Sequence, residues 1–266
     1  MPNNYLPKVS VVTVTLNAVK YIEETILSVA MQTYSNIEYI VIDGGSTDGT
    51  LEIIKQYDQF INIWKSEVDN GIFEAMNKAF NLASGDYVNF LNAGDVFFSP
   101  KTIEELPFLE MRKPFKSICG KNLFVSNYTK YIIETKPSSR KLPHQALFMA
   151  RKDFDKFHFD TMFKYCADSE LWTRYLPEKH DILFIDNYIS VSSFGGISTS
   201  SKYLLDRFRE NLQFRKNKVS VLTRFFLKLI AYVFLGDKGY EVVYFFFRGR
   251  KIKFIDKIYN FDSIRR

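Results

Sequence analysis

The first 98 residues alternate between mostly apolar runs and segments of helical spacing, and this alternation limits the fold more than any other feature. The apolar runs are rich in Val, Ile, Tyr and Phe, and they cover residues 8–14, 37–42, 61–66 and 87–90. Between them, apolar residues recur on one helix face, as Ile22, Ile26 and Val29 do, and residues 50–57 and 71–82 also read as helices. Runs this continuous are typical of strands covered on both faces. The sequence therefore predicts an α/β fold with a doubly wound, mostly parallel sheet.

Polar turns follow three of the predicted strands. Thr15 and Asn17 come after the first, Asp43 after the second, and Asn92 and Asp95 after the fourth. The carboxyl ends of parallel neighbours meet at one edge of a sheet, which predicts a single crevice there. Carboxylates gathered at one place repel each other unless a cation intervenes, and a divalent metal bridging a diphosphate is the usual reason. Asp95 and Asn92 offer the oxygen ligands that Mg²⁺ or Mn²⁺ prefers, although an isolated turn of this kind would simply cap a loop.

Shorter and more mixed elements make up the rest of the chain. The sequence predicts a helix near residues 100–109, strands at 117–124, 130–135 and 182–189, and helices at 167–175 and 202–218. Small polar residues at 192–201 predict a flexible loop. Cys119 and Cys166 are the only cysteines, and the chain opens without a charged and then apolar leader. These features predict a reduced, cytoplasmic protein without a disulfide framework.

Charge is distributed unevenly along the chain. Residues 199–266 hold 16 Lys and Arg against 6 Asp and Glu, a balance of +10, which leaves 20 against 24, or −4, for residues 1–198. The cations alternate with large apolar residues, and this favours an anionic membrane surface over nucleic acid as the partner of residues 219–266. The apolar helix predicted at 220–235 has about 16 residues, fewer than the roughly 20 that span a bilayer. It is expected to lie on a membrane, and the alternative is that it packs on the rest of the chain or on a second subunit.

Four segments resemble the inverting nucleotide-sugar glycosyltransferases of family 2, which have the GT-A fold, and especially the bacterial enzymes of O-antigen, capsule and exopolysaccharide assembly. The segments are residues 9–17, 42–50, 85–95 and 167–171, and the similarity runs through about residues 6–200. The resemblance implies a GT-A catalytic domain at 1–200, with a nucleotide-sugar half at 1–98 and an acceptor half at 99–200. A helical, basic and hydrophobic tail follows at 201–266.

The resemblance also implies roles around the nucleotide. Thr15 and Asn17 would line the nucleotide pocket, and Asp43 would accept a hydrogen bond from the uracil ring. Asp69 and Asn77 are further candidates for the donor site. Each of these two residues could instead be a helix cap or an exposed polar residue.

The metal motif departs from the family pattern. Many members carry Asp-X-Asp-Asp, whereas this chain has Asn92, Ala93, Gly94 and Asp95, so two acids are missing. The resemblance still implies Asp95 as the principal metal ligand, with Asn92 beside it. The altered turn leaves open an alternative, a catalytically impaired protein that binds a nucleotide-sugar and acts as a scaffold in a polysaccharide assembly complex.

An inverting transfer needs a base, because the acceptor hydroxyl must lose its proton as it attacks the anomeric carbon. The family places this base in a Glu-Asp turn that opens a helix, and the matching position here is Asp168, with Ala167 in place of the preceding Glu. Taken alone, Asp168 would be a helix N-cap. Glu170 lies two residues on, so on a helix its side chain points away from that of Asp168.

Five weaker sugar or acceptor candidates complete the site. The neighbouring His144 and Gln145 could bind the sugar or the diphosphate, although a lone His is as often structural. A loop containing Gly195 and Gly196 resembles the mobile segment that closes over the donor and excludes water, and an ordinary connection is its alternative. Trp172 could stack on an acceptor sugar, but packing against the sheet is favoured.

Together these features imply an inverting glycosyltransferase of cell-surface polysaccharide synthesis. It would move a hexose or N-acetylhexosamine from a UDP-sugar to a hydroxyl of a glycan carried on a polyprenyl diphosphate. The enzyme is expected to use Mg²⁺ or Mn²⁺, to lie at the inner face of the plasma membrane, and to bind no nucleic acid.

Overall fold

The computed structural model describes residues 5–108, 117–125, 132–135, 142–151, 158–175, 182–193, 196, 199–247 and 250–252. Within these ranges, the strands are β1 (Val9–Thr15), β2 (Ile37–Asp43), β3 (Ile63–Ser66), β4 (Tyr87–Phe90), β5 (Asp95–Phe97), β6 (Ser117–Val125), β7 (Ile132–Thr135), β8 (Leu147–Ala150), β9 (Ile182–Ser193) and β10 (Arg250–Ile252). The helices are α1 (Ile22–Ala30), α2 (Thr50–Gln56), α3 (Ile72–Leu82), α4 (Ala167–Tyr175), α5 (Leu204–Phe214) and α6 (Lys218–Phe246).

All ten described strands belong to one sheet of order β10-β7-β6-β8-β4-β1-β2-β3, with β9 paired to β6 and β5 paired to β9. Strands β1 to β4, the four that the sequence predicts in the first 98 residues, are parallel neighbours, which confirms the predicted α/β architecture. Strands β8, β7 and β10 add antiparallel pairs, so the sheet as a whole is mixed. The chain runs from β1 outward through β2 and β3 and then returns to place β4 on the other side of β1. This reversal puts the ends of β1, β2 and β4 around one crevice.

Apolar side chains cover both faces of the central strands. All seven residues of β1 are buried, because α3 and α4 pack on one face and α1 packs on the other. Tyr39, Tyr87 and Phe148 are among the largest fully buried side chains. Burying one such side chain contributes about 1.5–3 kcal/mol relative to leaving it in water. The rigid core therefore fixes the strand ends that build the crevice.

The predicted helix at 100–109 is wrong within the described residues. The chain there forms successive turns as far as Phe108, and Ile103, Leu106 and Phe108 insert into the core. Pro107 lacks a backbone N–H and disfavours a helical conformation at the residue before it. The sequence also did not predict β5 or β8, which are runs of three and four residues. Runs that short carry no periodicity that separates a strand from a buried turn.

The last helix reverses direction at Gly236, which has φ 60° and ψ −152°. The Nζ atom of Lys228 lies 4.4 Å from the ring centre of Tyr244, and the guanidinium of Arg224 lies 5.6 Å from that of Phe247. Residues 16 positions apart in a straight helix would be about 24 Å apart. Residues 218–235 and 237–246 are therefore two antiparallel arms, which we call the C-terminal hairpin.

One side of the hairpin packs on the domain. Phe225, Tyr240 and Tyr244 form a small core with Phe124 of β6 and Leu204 of α5. The predicted alternative, packing on the rest of the chain, is confirmed for this side, while the opposite side carries exposed apolar residues.

By length and composition, residues 218–244 could cross a membrane, with a mean hydropathy of 1.7 and 6% of the window buried. The prediction that the apolar helix ends at Leu235 is confirmed, because Gly236 has a non-helical conformation. The reversal at Gly236 divides the stretch from Lys218 to Phe246 into two shorter arms.

Candidate active site

The loops after β1 and β2 are joined by hydrogen bonds at the mouth of the crevice. The backbone N–H of Asn17 donates to Ser46 Oγ at 2.7 Å, and Asn17 Oδ1 accepts from the N–H of Thr47 at 2.9 Å. Asn17 has φ 49°, a left-handed conformation that Asn tolerates better than most residues. Thr15 lies beside Asp43 across the two strands, and its Oγ1 is buried without a hydrogen-bond partner. This orphan hydroxyl marks the floor of the crevice as a polar site.

Asp43 organises the turn that follows β2. Its buried carboxylate accepts from the backbone N–H groups of Gly45 and Ser46 at 3.2 and 3.0 Å, from Ser66 Oγ at 2.6 Å, and from Ser46 Oγ. A carboxylate offers about four acceptor positions, so these donors occupy its capacity. The role of Asp43 toward uracil stays a prediction, and a direct bond to the base would require one donor to be exchanged.

Asp69 and Asn77 have different surroundings. Asp69 lies against the turn after β2, since a Cβ added to Gly44 would be 2.8 Å from Asp69 Oδ2. Its Oδ1 accepts from the N–H of Gly71 at 2.8 Å, which orients the half-buried carboxylate at the crevice. Asn77 instead joins α3 to Phe159, donating to its carbonyl at 2.9 Å and accepting from its N–H at 3.1 Å. Asn77 is therefore not part of the donor site that we propose below.

Asp95 lies at the end of the turn after β4, and contacts from α1 and β9 fix its position. Gly94 has φ 96°, a conformation that favours glycine. Thr25 Oγ1 of α1 accepts from the N–H of Gly94 at 3.0 Å and donates to the carbonyl of Asp95 at 2.9 Å. In β5, Asp95 is paired in register with Ser192 of β9. A helix and a strand from distant parts of the chain thus fix the position of this carboxylate.

Burial raises the pKa of Asp95 to about 6, although the charge of His144 and hydrogen bonds from Ser192 and Gln145 oppose the shift. Asn92, in the same turn, is also buried, and its Oδ1 has no hydrogen-bond partner. A buried carboxylate beside an amide oxygen that has no partner creates a region of negative potential. Such a region stabilises a cation.

His144 and Asp168 meet across the crevice. The Nδ1 atom of His144 lies 3.7 Å from Asp168 Oδ2, and the two side chains are 14% and 17% exposed. His144 opens a short 3-10 turn whose next residue, Gln145, is held by Asn89 of β4, which donates to its carbonyl at 3.1 Å. Because His144 also acts on Asp95, the structure brings three separately predicted residues to one place.

Glu170 is engaged elsewhere. Arg174 donates to both of its carboxylate oxygens, at 2.6 and 2.9 Å, and also to the carbonyl of His158 at 2.9 Å. This bidentate pair neutralises Glu170 within α4. Asp168 is therefore the carboxylate of this helix that lies beside His144.

Two residues near the site were not predicted. Ser192 pairs with Asp95, but its small polar neighbours made it read as part of a loop. Glu210 of α5 accepts from the N–H groups of Lys164 and Tyr165 at 2.7 and 3.0 Å, and so holds the turn that precedes Asp168. No local sequence signal indicates either contact, because the partners lie 97 and about 45 residues away.

Of the remaining candidates, Trp172 lies in the core and Gly196 lies at the surface. Trp172 is buried in the main core, which agrees with the favoured packing role. Gly196 is exposed, and its carbonyl accepts from the N–H groups of Thr199 and Ser200 at 2.9 and 2.8 Å. Gly195 lies outside the described residues.

In the described ranges, no three His, Cys, Asp or Glu side chains form a ready-made metal cage. The ligands available are Asp95 and the orphan Oδ1 of Asn92. Mg²⁺ is commonly held by one or two carboxylates together with the phosphates of a substrate and water. The pair therefore fits a cation that arrives with a diphosphate rather than one that resides permanently.

Known proteins are similar to this chain in sequence and in fold. The model of glycosyl transferase family 2 matches residues 10–166, more than half of the chain. The chain belongs to glycosyl transferase family 2. This confirms the family resemblance and identifies the protein as a glycosyltransferase by homology.

Two curated relatives are similar to this chain in sequence. A putative teichuronic acid biosynthesis glycosyltransferase, TuaG, of Bacillus subtilis (strain 168) is 38% identical over 129 residues. This match covers 47% of the chain and only 51% of the Bacillus protein. A PGL/p-HBAD biosynthesis glycosyltransferase of Mycobacterium bovis (strain BCG / Pasteur 1173P2) is 26% identical over 246 residues, covering 85% of the chain and 93% of that protein.

Solved structures confirm the GT-A-like fold. S. aureus TarS 1-349 in complex with UDP-GlcNAc superposes with a TM-score of 0.61 at 19% identity, covering 85% of this chain and 72% of that one. The mannosyltransferase PcManGT from Pyrobaculum calidifontis, in complex with GDP-Man and Mn²⁺, gives 0.59 at 16% identity, covering 90% and 73%.

Proposed function

We propose that the protein transfers a hexose or N-acetylhexosamine from a UDP-sugar to a hydroxyl of a glycan, with inversion at the anomeric carbon. The observation that carries this proposal is the convergence of Asp95, His144 and Asp168 at the crevice between β1 and β4. His144 interacts there with both the metal-ligand candidate and the base candidate. The relatives named for teichuronic acid and glycolipid biosynthesis, and the neighbour crystallised with UDP-GlcNAc, support the donor and the cell-surface setting.

The donor nucleotide would occupy the loops after β1 and β2. The orphan Thr15 Oγ1, the left-handed Asn17 and the half-buried Asp69 supply polar contacts, while Asp43 holds the turn in shape. Asp95 and Asn92 would hold Mg²⁺ or Mn²⁺ together with the diphosphate. When bound, that cation would neutralise charge on the departing UDP.

Asp168 is the proposed general base. As the acceptor oxygen bonds to the anomeric carbon, the bond from that carbon to the diphosphate oxygen breaks, and the hydroxyl proton passes to the Asp168 carboxylate. His144, 3.7 Å from Asp168, is placed to orient that carboxylate and to contact the sugar or the diphosphate. Glu170 cannot substitute for Asp168 without breaking its pair with Arg174.

The acceptor is proposed to be a glycan on a polyprenyl diphosphate carrier at the inner face of the plasma membrane. The exposed apolar residues of the C-terminal hairpin and the basic balance of residues 199–266 support a peripheral membrane location. The protein would bind no nucleic acid, because its cations are interleaved with apolar side chains.

The decisive experiment replaces Asp168 by Asn and measures UDP release and donor binding separately. Asp168→Asn should keep UDP-sugar binding in a thermal-shift assay, while turnover falls roughly 10²- to 10⁴-fold, the usual contribution of a general base. Asp160→Asn is the matched control, since Asp160 lies eight residues before Asp168 in the chain and its carboxylate accepts from the exposed N–H of Met162 at 3.0 Å.

A panel of UDP- and GDP-sugars, each with and without Mn²⁺, defines the donor class and the metal requirement. Turnover unchanged by Asp168→Asn would remove that residue from its role. Nucleotide binding without UDP release, for every acceptor offered, would favour the scaffold alternative over an active transferase.

A further inference from the structure

The first arm of the C-terminal hairpin ends in an exposed segment without charge. Residues 229–236 contain no Asp, Glu, Lys or Arg. Val233, Phe234 and Leu235 are 68%, 78% and 69% exposed, and Ile230 is exposed as well. We call residues 230–235 the hairpin apex. Three adjacent large apolar side chains in water are unfavourable unless another phase or molecule covers them.

The distance from the apex to the nearest cation of the same arm limits how deeply it can enter an apolar phase. Seven residues separate Lys228 from Leu235, which corresponds to about 10 Å of helix. Interfacial helices bury their apolar side roughly 5–10 Å deep, whereas the hydrocarbon core is about 30 Å thick. The apex therefore matches insertion into one leaflet and is too short to cross two.

The surroundings of the apex match a negatively charged surface. Arg224 and Lys228 lie behind it, stacked on Phe247, which follows the second arm, and on Tyr244 within that arm. Lys238 follows the turn with a long stem that can reach toward headgroups. Of the two acids in the second arm, Asp237 accepts a hydrogen bond from Ser201 and so faces the domain, and Glu241 is buried. An apolar apex with cations behind it is complementary to anionic lipid headgroups over acyl chains.

We propose that the hairpin apex inserts into a single leaflet of an anionic bilayer as a shallow wedge. This deepens the peripheral membrane location proposed above and rests on it. It assigns binding to the apex rather than to the whole basic tail.

The turn of the hairpin is connected by hydrogen bonds to the segment around Gly196. Ser201, which holds Asp237, follows directly after Thr199 and Ser200, whose N–H groups donate to the carbonyl of Gly196. Gly196 belongs to the segment predicted to close over the donor.

The test uses the full chain with vesicles of phosphatidylcholine alone and of phosphatidylcholine with an equal part of phosphatidylglycerol. Phe234→Ser should weaken co-sedimentation with the anionic vesicles roughly tenfold, because a large apolar side chain no longer leaves water. Met162→Ser is the matched control, since Met162 is 84% exposed but lies far along the chain from the hairpin. Met162→Ser should bind like the parent protein, and equal binding of both variants would overturn the proposal.

Depth is measured with Phe234→Trp and lipids brominated at defined positions along the acyl chain. The shallow wedge predicts the strongest added quenching near the headgroup end of the chain. Strongest quenching at the bilayer centre would overturn the wedge in favour of a spanning segment. Self-association that Phe234→Ser abolishes, without any vesicle binding by the parent, would identify a second copy as the occupant and also overturn it.

Failure of the wedge is distinguishable from failure of the transferase. With a water-soluble acceptor, Phe234→Ser should release UDP at the parental rate, because no step of the proposed chemistry uses Phe234. Asp168→Asn should bind vesicles normally while turnover is lost. Loss of UDP release in both variants would show that the apex is not a separate membrane element, and would contradict the proposal.

Discussion

Glu38 clamps the strands that build the crevice, and its removal offers the clearest test of the packing argument. It lies on β2, with its side chain 8% exposed, and accepts from Ser10 of β1 at 2.6 Å, from Lys8 at 2.8 Å and from the N–H and Oγ of Ser84 at 2.7 and 2.6 Å. Ser84 lies in the turn that leads into β4. Burial alone would raise the pKa of Glu38, but these hydrogen bonds outweigh it and lower the pKa from 4.5 to about 2.

The shifted pKa sets the expected size of the effect. The difference between 4.5 and about 2 corresponds to about 3 kcal/mol of stability at neutral pH. Lys8 is 39% exposed, so water screens its share, and we expect about 2 kcal/mol for Glu38→Gln. Because the pKa is lower in the folded state, this stabilisation is complete above about pH 5 and disappears as the pH falls through about 2.

Urea unfolding at several pH values measures the effect directly. The difference in unfolding free energy between the parent and Glu38→Gln should be largest near pH 7 and should shrink steadily below pH 4.5. Glu67→Gln is the matched control, since Glu67 also pairs with a lysine, Lys78 at 3.0 Å, but is 54% exposed. That variant should lose less than about 1 kcal/mol. Equal losses of unfolding free energy for the two variants, or a difference from the parent that does not change with pH, would refute the stabilising role of Glu38.

Three further substitutions test the site and the hairpin. Gly44→Ala places a Cβ against the carboxylate of Asp69, so UDP affinity measured by calorimetry should fall roughly tenfold, since one charge-assisted hydrogen bond is displaced, and unfolding should barely change. Asp95→Asn should abolish the added thermal shift that Mn²⁺ gives in the presence of UDP, and it should raise the melting temperature of the ligand-free protein, because a buried charge is removed. Gly236→Ala should destabilise the turn of the hairpin by about 1–3 kcal/mol, because φ 60° with ψ −152° is a region that essentially only glycine adopts. Faster hydrogen exchange confined to residues 237–246 would confirm that effect, and unchanged exchange there would contradict the reversal.

The parallel half of the sheet follows from local sequence. Most residues of β1 and β2 are β-branched or aromatic. Nearly all side chains of these two strands are buried, as the apolar pattern predicts. The second half does not follow in this way. Strand β8 has four residues and pairs with both β4 and β6, so its identity as a strand depends on partners about 30 and 60 residues away.

The candidate site shows the same division. The sequence located Asp95, His144 and Asp168 individually, but their approach depends on the pairing of β5 with β9 and on the docking of α4. The sequence also marked Asp43 as a nucleotide ligand. Ser46 contacts Asp43 from within the same turn, whereas the contact from Ser66 depends on strand β3, which no local pattern around Asp43 reveals.

The sequence by itself determined the family, the parallel strands and the position along the chain of each polar turn, because hydrophobic periodicity and turn chemistry act over a few residues. The tertiary structure decided the surroundings of each carboxylate. Glu170 is paired with Arg174, whereas Asp168 lies at the crevice beside His144. It also decided that the apolar stretch after Lys218 reverses at Gly236. The physical reason is that burial, hydrogen-bond saturation and chain reversal depend on contacts between residues far apart in sequence, and no local window contains both partners.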